Sequence, residues 1–300
     1  TRLHPRRTRH QEDLRLGPGS VLAVIMPKSR GRIPDIAPEQ ADMILARFAR
    51  IGLAADDPVN ALFGAIRAAA AAGFHAVECH WPYDTPPQAA RAALHDTGLP
   101  MLSLNTARGD VAAGQFGLSA LPGREDEARA AIDAGLDYGA AIGARALHVM
   151  AGKASGAAAE AAFRANLVYA CERAAALGIT ILIEPLNRHD APGYFLTTTD
   201  QAAMLIHTLG RPNLKLMFDC YHVGRQEGDV GTRLAALLPI IGHIQFASVP
   251  DRGPPGQGEL CYDHLFAQIA ALGYDAPLGA EYRPRGATGD SLGWLARFAG

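Results

Sequence analysis

A glycine returns along this chain at intervals close to the length of one strand-plus-helix unit. It stands at Gly73, Gly98, Gly143, Gly178, Gly210, Gly242 and Gly273, at spacings of 25, 45, 35, 32, 32 and 31 residues. Most of these glycines follow an Ala/Leu-rich stretch with helical spacing, and each precedes a short apolar run. Glycine is the usual residue just past a helix C-terminus, because it adopts a left-handed backbone without a Cβ clash. Each apolar run then ends in a polar residue: Glu78, Asn105, His148, Glu184, Asp219, Gln245 and Glu281. Seven units are visible. An eighth strand has to precede a helix at about residues 58–72, and residues 47–54 (RFARIGLA) are the candidate. Eight strand–helix units predict an α/β chain closed into a (β/α)8 TIM barrel. The competitor, an open doubly wound sheet, lacks its Gly-x-Gly-x-x-Gly turn after every expected strand.

Residues 1–43 stand outside this repeat, which divides the chain into an Arg-rich N-terminal extension and a barrel domain of residues 44–300. The opening TRLHPRRTRHQEDLR reads as a solvated or disordered arm, although residues 20–26 (SVLAVIM) have strand character and residues 37–48 helical character. The formal charge of −2 hides an asymmetry. The first 50 residues hold ten Lys and Arg against five acids, so residues 51–300 carry −7. That balance disfavours a nucleic-acid binder, and no aromatic residues accompany the N-terminal arginines to stack on bases. Apolar runs fall well short of the roughly 20 residues a membrane span needs, and no charged-then-apolar leader is visible. Cys79, Cys171, Cys220 and Cys261 are widely separated, without a C-x-x-C pair, so neither a thiolate zinc site nor a disulfide framework is suggested. A cytoplasmic protein without membrane or nucleic-acid partners is expected.

Strand residues in a parallel barrel alternate between the helix side and the lumen, and active sites lie where the strands end. Period two groups Thr180, Leu182 and Glu184; Lys215, Met217 and Asp219; His243 and Gln245; Gly279, Glu281 and Arg283; Glu78 and His80; Ser103 and Asn105. The polar faces should point inward, because the outer faces pack on apolar helices. Four oxygen-donor side chains, Glu184, Asp219, Gln245 and Glu281, then end four consecutive strands. Three carboxylates and one amide suit a hard divalent cation such as Mg2+ or Mn2+, with positions left for a chelating substrate. Without a cation, the carboxylates would repel one another and raise their pKa values.

The segments IEPLNRHDAPGYFL, LKLMFDCYHVGRQEGD, IGHIQFASVPDR, PGQGELCY and GAEYRPRG, together with VECHWPYD and NTARGDVAAGQFGLSALPGRE, carry a resemblance. They are similar to the hydroxypyruvate isomerase family, within the xylose isomerase-like group of TIM barrels, over roughly residues 47–300. The resemblance implies that Glu184, Asp219, Gln245 and Glu281 hold the metal and that Glu184 and Glu281 form the acid/base pair. It implies one divalent cation, Mg2+ or Mn2+, and a small hydroxy- or oxo-acid substrate. Hydroxypyruvate and tartronate semialdehyde are the first pair to expect. Interconverting them moves one proton between adjacent carbons and another between their oxygens, work for two carboxylates on opposite faces and a cation at the oxygens.

Such a substrate also carries a carboxylate, which needs a donor-rich clamp. Arg252 in SVPDR follows the seventh strand, and an arginine fork suits a carboxylate. His222, three residues after Asp219, is expected to hold a substrate oxygen. His80, Asn105 and His148 at strand ends are candidate pocket residues, and Arg283 is either a clamp or a charge-balancing partner of Glu281. His243, a layer below Gln245, reads as a hydrogen-bonded core residue. His189 and Asp190 are expected to support the metal residues from behind, and the glycine-rich loop of residues 106–122 is long enough to cover the mouth. The alternatives within the fold are a 2-oxo-tetronate isomerase and a ketose 3-epimerase. A metal-dependent nuclease fits the acidic barrel poorly, and a binding protein without catalysis would not need two glutamates. Oligomeric state is not legible in the sequence; members of the larger group are often dimers or tetramers, which admits a homo-oligomer.

Overall fold

The alternation along each strand gives one apolar and one mixed face, and the chain resolves this by closing its sheet with helices outside. The structure is a computed structural model, and residues 21–25, 58–284 and 286–298 are described. Eight strands form a closed barrel in chain order: β1 (Val21–Ile25), β2 (Ala76–Cys79), β3 (Met101–Asn105), β4 (Ala146–His148), β5 (Thr180–Ile183), β6 (Leu214–Asp219), β7 (Ile241–Phe246) and β8 (Leu278–Ala280). From β2 to β8 all pairings are parallel, with α1 (Pro58–Ala71) leading into β2. The helices between these strands are α2 (Pro87–Thr97), α3 (Glu125–Ile142), α4 (Gly156–Ala175), α5 (Thr199–Leu209), α6 (Cys220–Gln226), α7 (Val230–Leu237) and α8 (Tyr262–Ala271). A 3-10 turn (Thr288–Trp294) and α9 (Leu295–Phe298) follow β8.

The first strand differs from expectation. Residues 47–54 lie outside the described residues, and so do residues 37–48. The strand between β2 and β8 is β1, from the stretch that composition sets apart, and it runs antiparallel to both neighbours. Ala23 pairs with Val77 on one side and Ala280 on the other. The run VLAVI, rich in β-branched residues, supplies the strand propensity.

Six of the seven punctuating glycines have left-handed backbones just past a helix, with φ between 57° and 85°. Gly242 does not. It is the second residue of β7, where a Cβ would lie 2.6 Å from Cβ of Lys215. Its role is close strand approach, and the preceding turn ends instead in a 3-10 segment (Leu238–Ile240). The core lies mostly between sheet and helices: Ile66, Ile132, Phe163 and Leu234 pack with Val77, Leu147, Ile181 and Phe246. Within the lumen a small apolar layer of Ala146, Leu182 and Met217 lies among the strands. The polar ends of β2 to β8 open above it. No helix among the described residues is long and apolar enough to cross a membrane.

Candidate active site

The C-terminal ends of the strands converge on a pocket of about 550 Å³. It is lined by His80, Asn105, His148, Glu184, His222, Arg252 and Glu281, all expected from sequence, and by Trp81, Arg108, Phe116 and Asp190. Asp219 and Gln245 lie at paired positions of β6 and β7, both almost fully buried. Arg283 is not brought to the pocket. Its side chain is half-buried elsewhere, and its backbone N–H donates to the carbonyl of Arg252 at 2.6 Å.

Glu184, Asp219 and His222 each offer an atom within 4.8 Å of the other two. Asp219 also caps α6, its Oδ1 accepting from the backbone N–H of Tyr221 at 2.8 Å, which leaves Oδ2 for the site. Burial pushes Asp219 up to about 7, although Arg252 pulls the other way. Burial, and then the charges of Glu281 and Asp219, push Glu184 well above the ordinary carboxylate range. Three buried oxygens, Glu184 Oε1, Asp219 Oδ2 and Gln245 Oε1, make no hydrogen bond among the described residues. Buried acceptors seldom lack a partner, and three oxygens beside raised carboxylates suit a hard divalent cation.

His222 belongs to a different role from these oxygens. Its Nδ1 accepts from the backbone N–H of Asn187 at 3.0 Å and lies 2.8 Å from the Asn187 side-chain nitrogen. The Asn187 amide is itself fixed, because its Oδ1 accepts from the N–H groups of His189 and Asp190, both at 3.0 Å. Burial, then Arg252, hold His222 down to about 3, so the ring is neutral. A neutral imidazole that accepts at Nδ1 carries its proton on Nε2. His222 therefore presents an N–H to the pocket, 3.7 Å from Asp219 Oδ2 and 3.9 Å from Glu184 Oε1. That is a donor for an oxygen, and no lone pair remains there for a metal.

Glu281 lies outside the Glu184–Asp219–His222 group. Its Oε1 is ion-paired with Arg252 and 3.4 Å from Nε2 of His80. Burial raises its pKa, but Arg252 and His80 outweigh burial and hold Glu281 well below the carboxylate range. Arg252 also reaches Asp219 Oδ2 at 3.6 Å and lies 5.1 Å above the Tyr221 ring, whose hydroxyl donates to Asp190 at 2.7 Å. Its backbone is left-handed at φ 54°, rare for a side chain other than glycine or asparagine, and held by an N–H bond to Ser248 O at 2.9 Å. Arg252 is thus committed to the site's own carboxylates. His148, with neither ring nitrogen hydrogen-bonded among the described residues, is held down to about 3 by burial and then by His80, and its Nδ1 lies 3.6 Å from Glu184.

Arg108 lies in the NTARGDVAAGQFGLSALPGRE segment, whose sequence pattern does not by itself mark this arginine as a pocket residue. Its guanidinium stacks 3.7 Å above the Trp81 ring and has no carboxylate partner among the described residues. The loop of residues 106–122 bears both Arg108 and Phe116, and its far half is tied to the chain after β4 by Ser119 N to Met150 O and Ala120 N to Ala151 O at 3.3 and 2.7 Å.

A profile of the xylose isomerase-like TIM barrel family matches residues 66–298. The chain belongs to that family. The 2-oxo-tetronate isomerase of Cupriavidus necator is 46% identical over 245 residues, covering 80% of this chain and 94% of that one. The hydroxypyruvate isomerase of Escherichia coli is 37% identical over 231 residues, covering 76% and 90%. Among solved structures, an AP endonuclease, family 2, from Brucella melitensis matches with a TM-score of 0.77 at 38% identity, covering 79% of this chain and 93% of that one. Within the xylose isomerase-like family this chain is, like its two curated relatives, an isomerase. Of the polar strand-end residues, Asn105, His148, Glu184 and Glu281 line the pocket at the barrel mouth.

Proposed function

We propose that this chain is a divalent-cation-dependent aldose–ketose isomerase of a three- or four-carbon oxo-acid, with hydroxypyruvate to tartronate semialdehyde as the first reaction to test. The observation that carries this reading is that two buried glutamates, Glu184 and Glu281, line one pocket, and that Glu184 Oε1, Asp219 Oδ2 and Gln245 Oε1 make no hydrogen bond among the described residues. Two carboxylates in one pocket can remove a carbon-bound proton and return it to the neighbouring carbon. Moving hydrogen between C3 and C2 of hydroxypyruvate requires that transfer.

The free oxygens of Glu184, Asp219 and Gln245 are the residues that would hold Mg2+ or Mn2+, and Glu281 would join them only by releasing Arg252. When bound, the cation would draw electron density from the two substrate oxygens and favour enolisation. His222 donates its Nε2–H to one of those oxygens. Arg252 keeps Glu281 ionised until substrate arrives. The substrate carboxylate is left to Arg108, the pocket arginine without an acidic partner among the described residues, at the end of the site covered by Trp81 and Phe116. The loop of residues 106–122 screens that end from water, which protects an enediolate.

The names of the relatives support both a hydroxypyruvate and a 2-oxo-tetronate substrate. The name of the Brucella structure raises cleavage at abasic DNA instead. A negatively charged chain with buried carboxylates at its mouth suits a small anion held by one arginine better than a nucleic-acid backbone. Purified protein with Mn2+ or Mg2+ should exchange the C3 hydrogens of hydroxypyruvate for deuterium and form tartronate semialdehyde. Absence of both with hydroxypyruvate and with 2-oxo-tetronates, or cleavage of abasic DNA instead, would reject the proposal.

A further inference from the structure

Beneath the pocket, Glu78 of β2 lies inside the barrel with 1% of its surface exposed, and none of the steps above uses it. Its Oε2 accepts from the hydroxyl of Ser103 at 2.9 Å and from the side-chain Nε2 of Gln245 at 3.1 Å. Its Oε1 lies 3.2 Å from Nε2 of His243. Room for the carboxylate comes from β8, where a Cβ at Gly279 would overlap Oε1 of Glu78 and lie 2.9 Å from Cγ of Gln245. Two strands, β3 and β7, therefore aim polar groups at one acid, and a third, β8, makes space for it.

The consequence falls on Gln245. The two ends of a glutamine amide have nearly the same shape and opposite hydrogen-bonding character, so a neighbour decides which end points where. A carboxylate accepts, and Glu78 takes the NH2 end. The oxygen end, Gln245 Oε1, is left without a hydrogen bond among the described residues, on the strand position paired with Asp219.

We propose that Glu78 is a positioning residue for the cation: it fixes the Gln245 amide so that its oxygen, and not its NH2, is offered beside Glu184 and Asp219. This rests on the metal-dependent reading above. Turning the amide over would replace a ligand oxygen by two hydrogens facing a dication, so cation affinity reports the orientation directly.

The test is Mn2+ binding, followed by the loss of the free-ion EPR signal, in wild-type protein and three variants. Glu78→Gln keeps the shape but supplies an NH2 that can donate to Gln245 Oε1 and turn the amide over; Mn2+ affinity should fall at least tenfold. Glu78→Asp keeps the charge and withdraws the acceptor from the amide, and affinity should fall likewise, which a pure charge effect would not produce. The exchange Glu78→Gln with Gln245→Glu reverses donor and acceptor but again offers an oxygen, and affinity should return to within about threefold of wild type. Melting of the metal-free variants separates orientation from folding, and should Glu78→Gln fail to fold, Glu78→Asp decides. Wild-type affinity in Glu78→Gln or Glu78→Asp overturns the assignment while leaving the metal reading intact. A wild-type protein that binds no Mn2+ overturns the metal reading and the assignment with it.

Discussion

Two donors of Asn187, its backbone N–H at 3.0 Å and its side-chain amide at 2.8 Å, converge on Nδ1 of His222. The pair turns a histidine beside two carboxylates into a hydrogen-bond donor of fixed direction. It also explains why a residue three positions from Asp219 can share the site without competing for a cation. The spacing alone allows either role, and the partner on the opposite side of the ring decides between them.

Asn187→Asp should invert that arrangement. A carboxylate facing Nδ1 favours the tautomer with the proton there, which takes it from Nε2 and leaves a lone pair toward the substrate oxygen. Turnover should fall by roughly tenfold to a hundredfold, the scale of one charge-assisted hydrogen bond of about 1.5–3 kcal/mol. The nitrogen-15 shifts of the His222 ring should exchange their protonated and unprotonated signatures. Unchanged shifts would show that the Asn187 side chain does not set the tautomer and would leave that role to its backbone N–H.

The carboxylates predict how cation binding depends on pH. Asp219, pushed up to about 7, and Glu184, also raised, favour their protonated forms in the folded metal-free chain. The contribution of Asp219 to stability is present below the unfolded carboxylate range near pH 4 and is lost as pH rises through about 7, and that of Glu184 is lost in the same direction as pH rises. His148 and His222, each held down to about 3, act in the opposite sense. Their contribution is present above the unfolded value of about 6.5 and is lost as pH falls toward 3. A cation replaces the protons on the carboxylates. The rise in melting temperature on adding Mn2+ should therefore be small at pH 5 and grow through pH 8. A thermal shift independent of pH over that range would count against Glu184 and Asp219 as ligands.

The units, strand ends and inward face were legible because glycine caps and period two are local signals. Glu184, Asp219, Gln245 and Glu281 could each be located from a few neighbouring residues. What lay beyond reach was partnership across the barrel. Arg252 reads in sequence as a free fork for substrate, yet its left-handed backbone turns it onto Glu281, 29 residues away. The EPLN segment drew attention to His189 and Asp190, whereas Asn187 between them and Glu184 holds His222 from 35 residues away. Gly242 shows a local signal with two meanings: a glycine before an apolar run can end a helix or admit a neighbouring strand, and only the position of Lys215 tells them apart. The first strand was misplaced for a related reason, since residues 20–26 and 47–54 both have strand character and pairing with β2 and β8 is not a local property.

Glu281→Gln keeps the shape of the side chain but removes the charge that Arg252 and His80 hold in place. If Glu281 exchanges the carbon-bound proton, turnover of hydroxypyruvate should fall by roughly 10²–10⁴, the range general acid–base groups contribute. Hydroxypyruvate should still raise the melting temperature of the variant, because Arg108 and His222 remain. A variant with near wild-type turnover would remove Glu281 from the acid/base pair; one that also loses substrate protection would point to binding.

Arg108 separates recognition of the substrate from its chemistry. It reaches the pocket from a loop, stacked on Trp81, and burial lowers its pKa with no acid among the described residues to offset it. An arginine remains charged despite that, so the pocket keeps a positive group without an acidic partner among the described residues. Arg108→Met preserves the apolar stem over Trp81 and deletes the fork. KM for hydroxypyruvate should rise by roughly tenfold to a hundredfold with kcat little changed, since a carboxylate remote from the reacting carbons is held equally in ground and transition states. A neutral ketose of the same length, dihydroxyacetone, should bind the variant and the wild type alike in competition with hydroxypyruvate. An equal loss for both compounds would assign Arg108 to shaping the mouth instead, and the carboxylate would then have to be met by Arg252 after its release from Glu281.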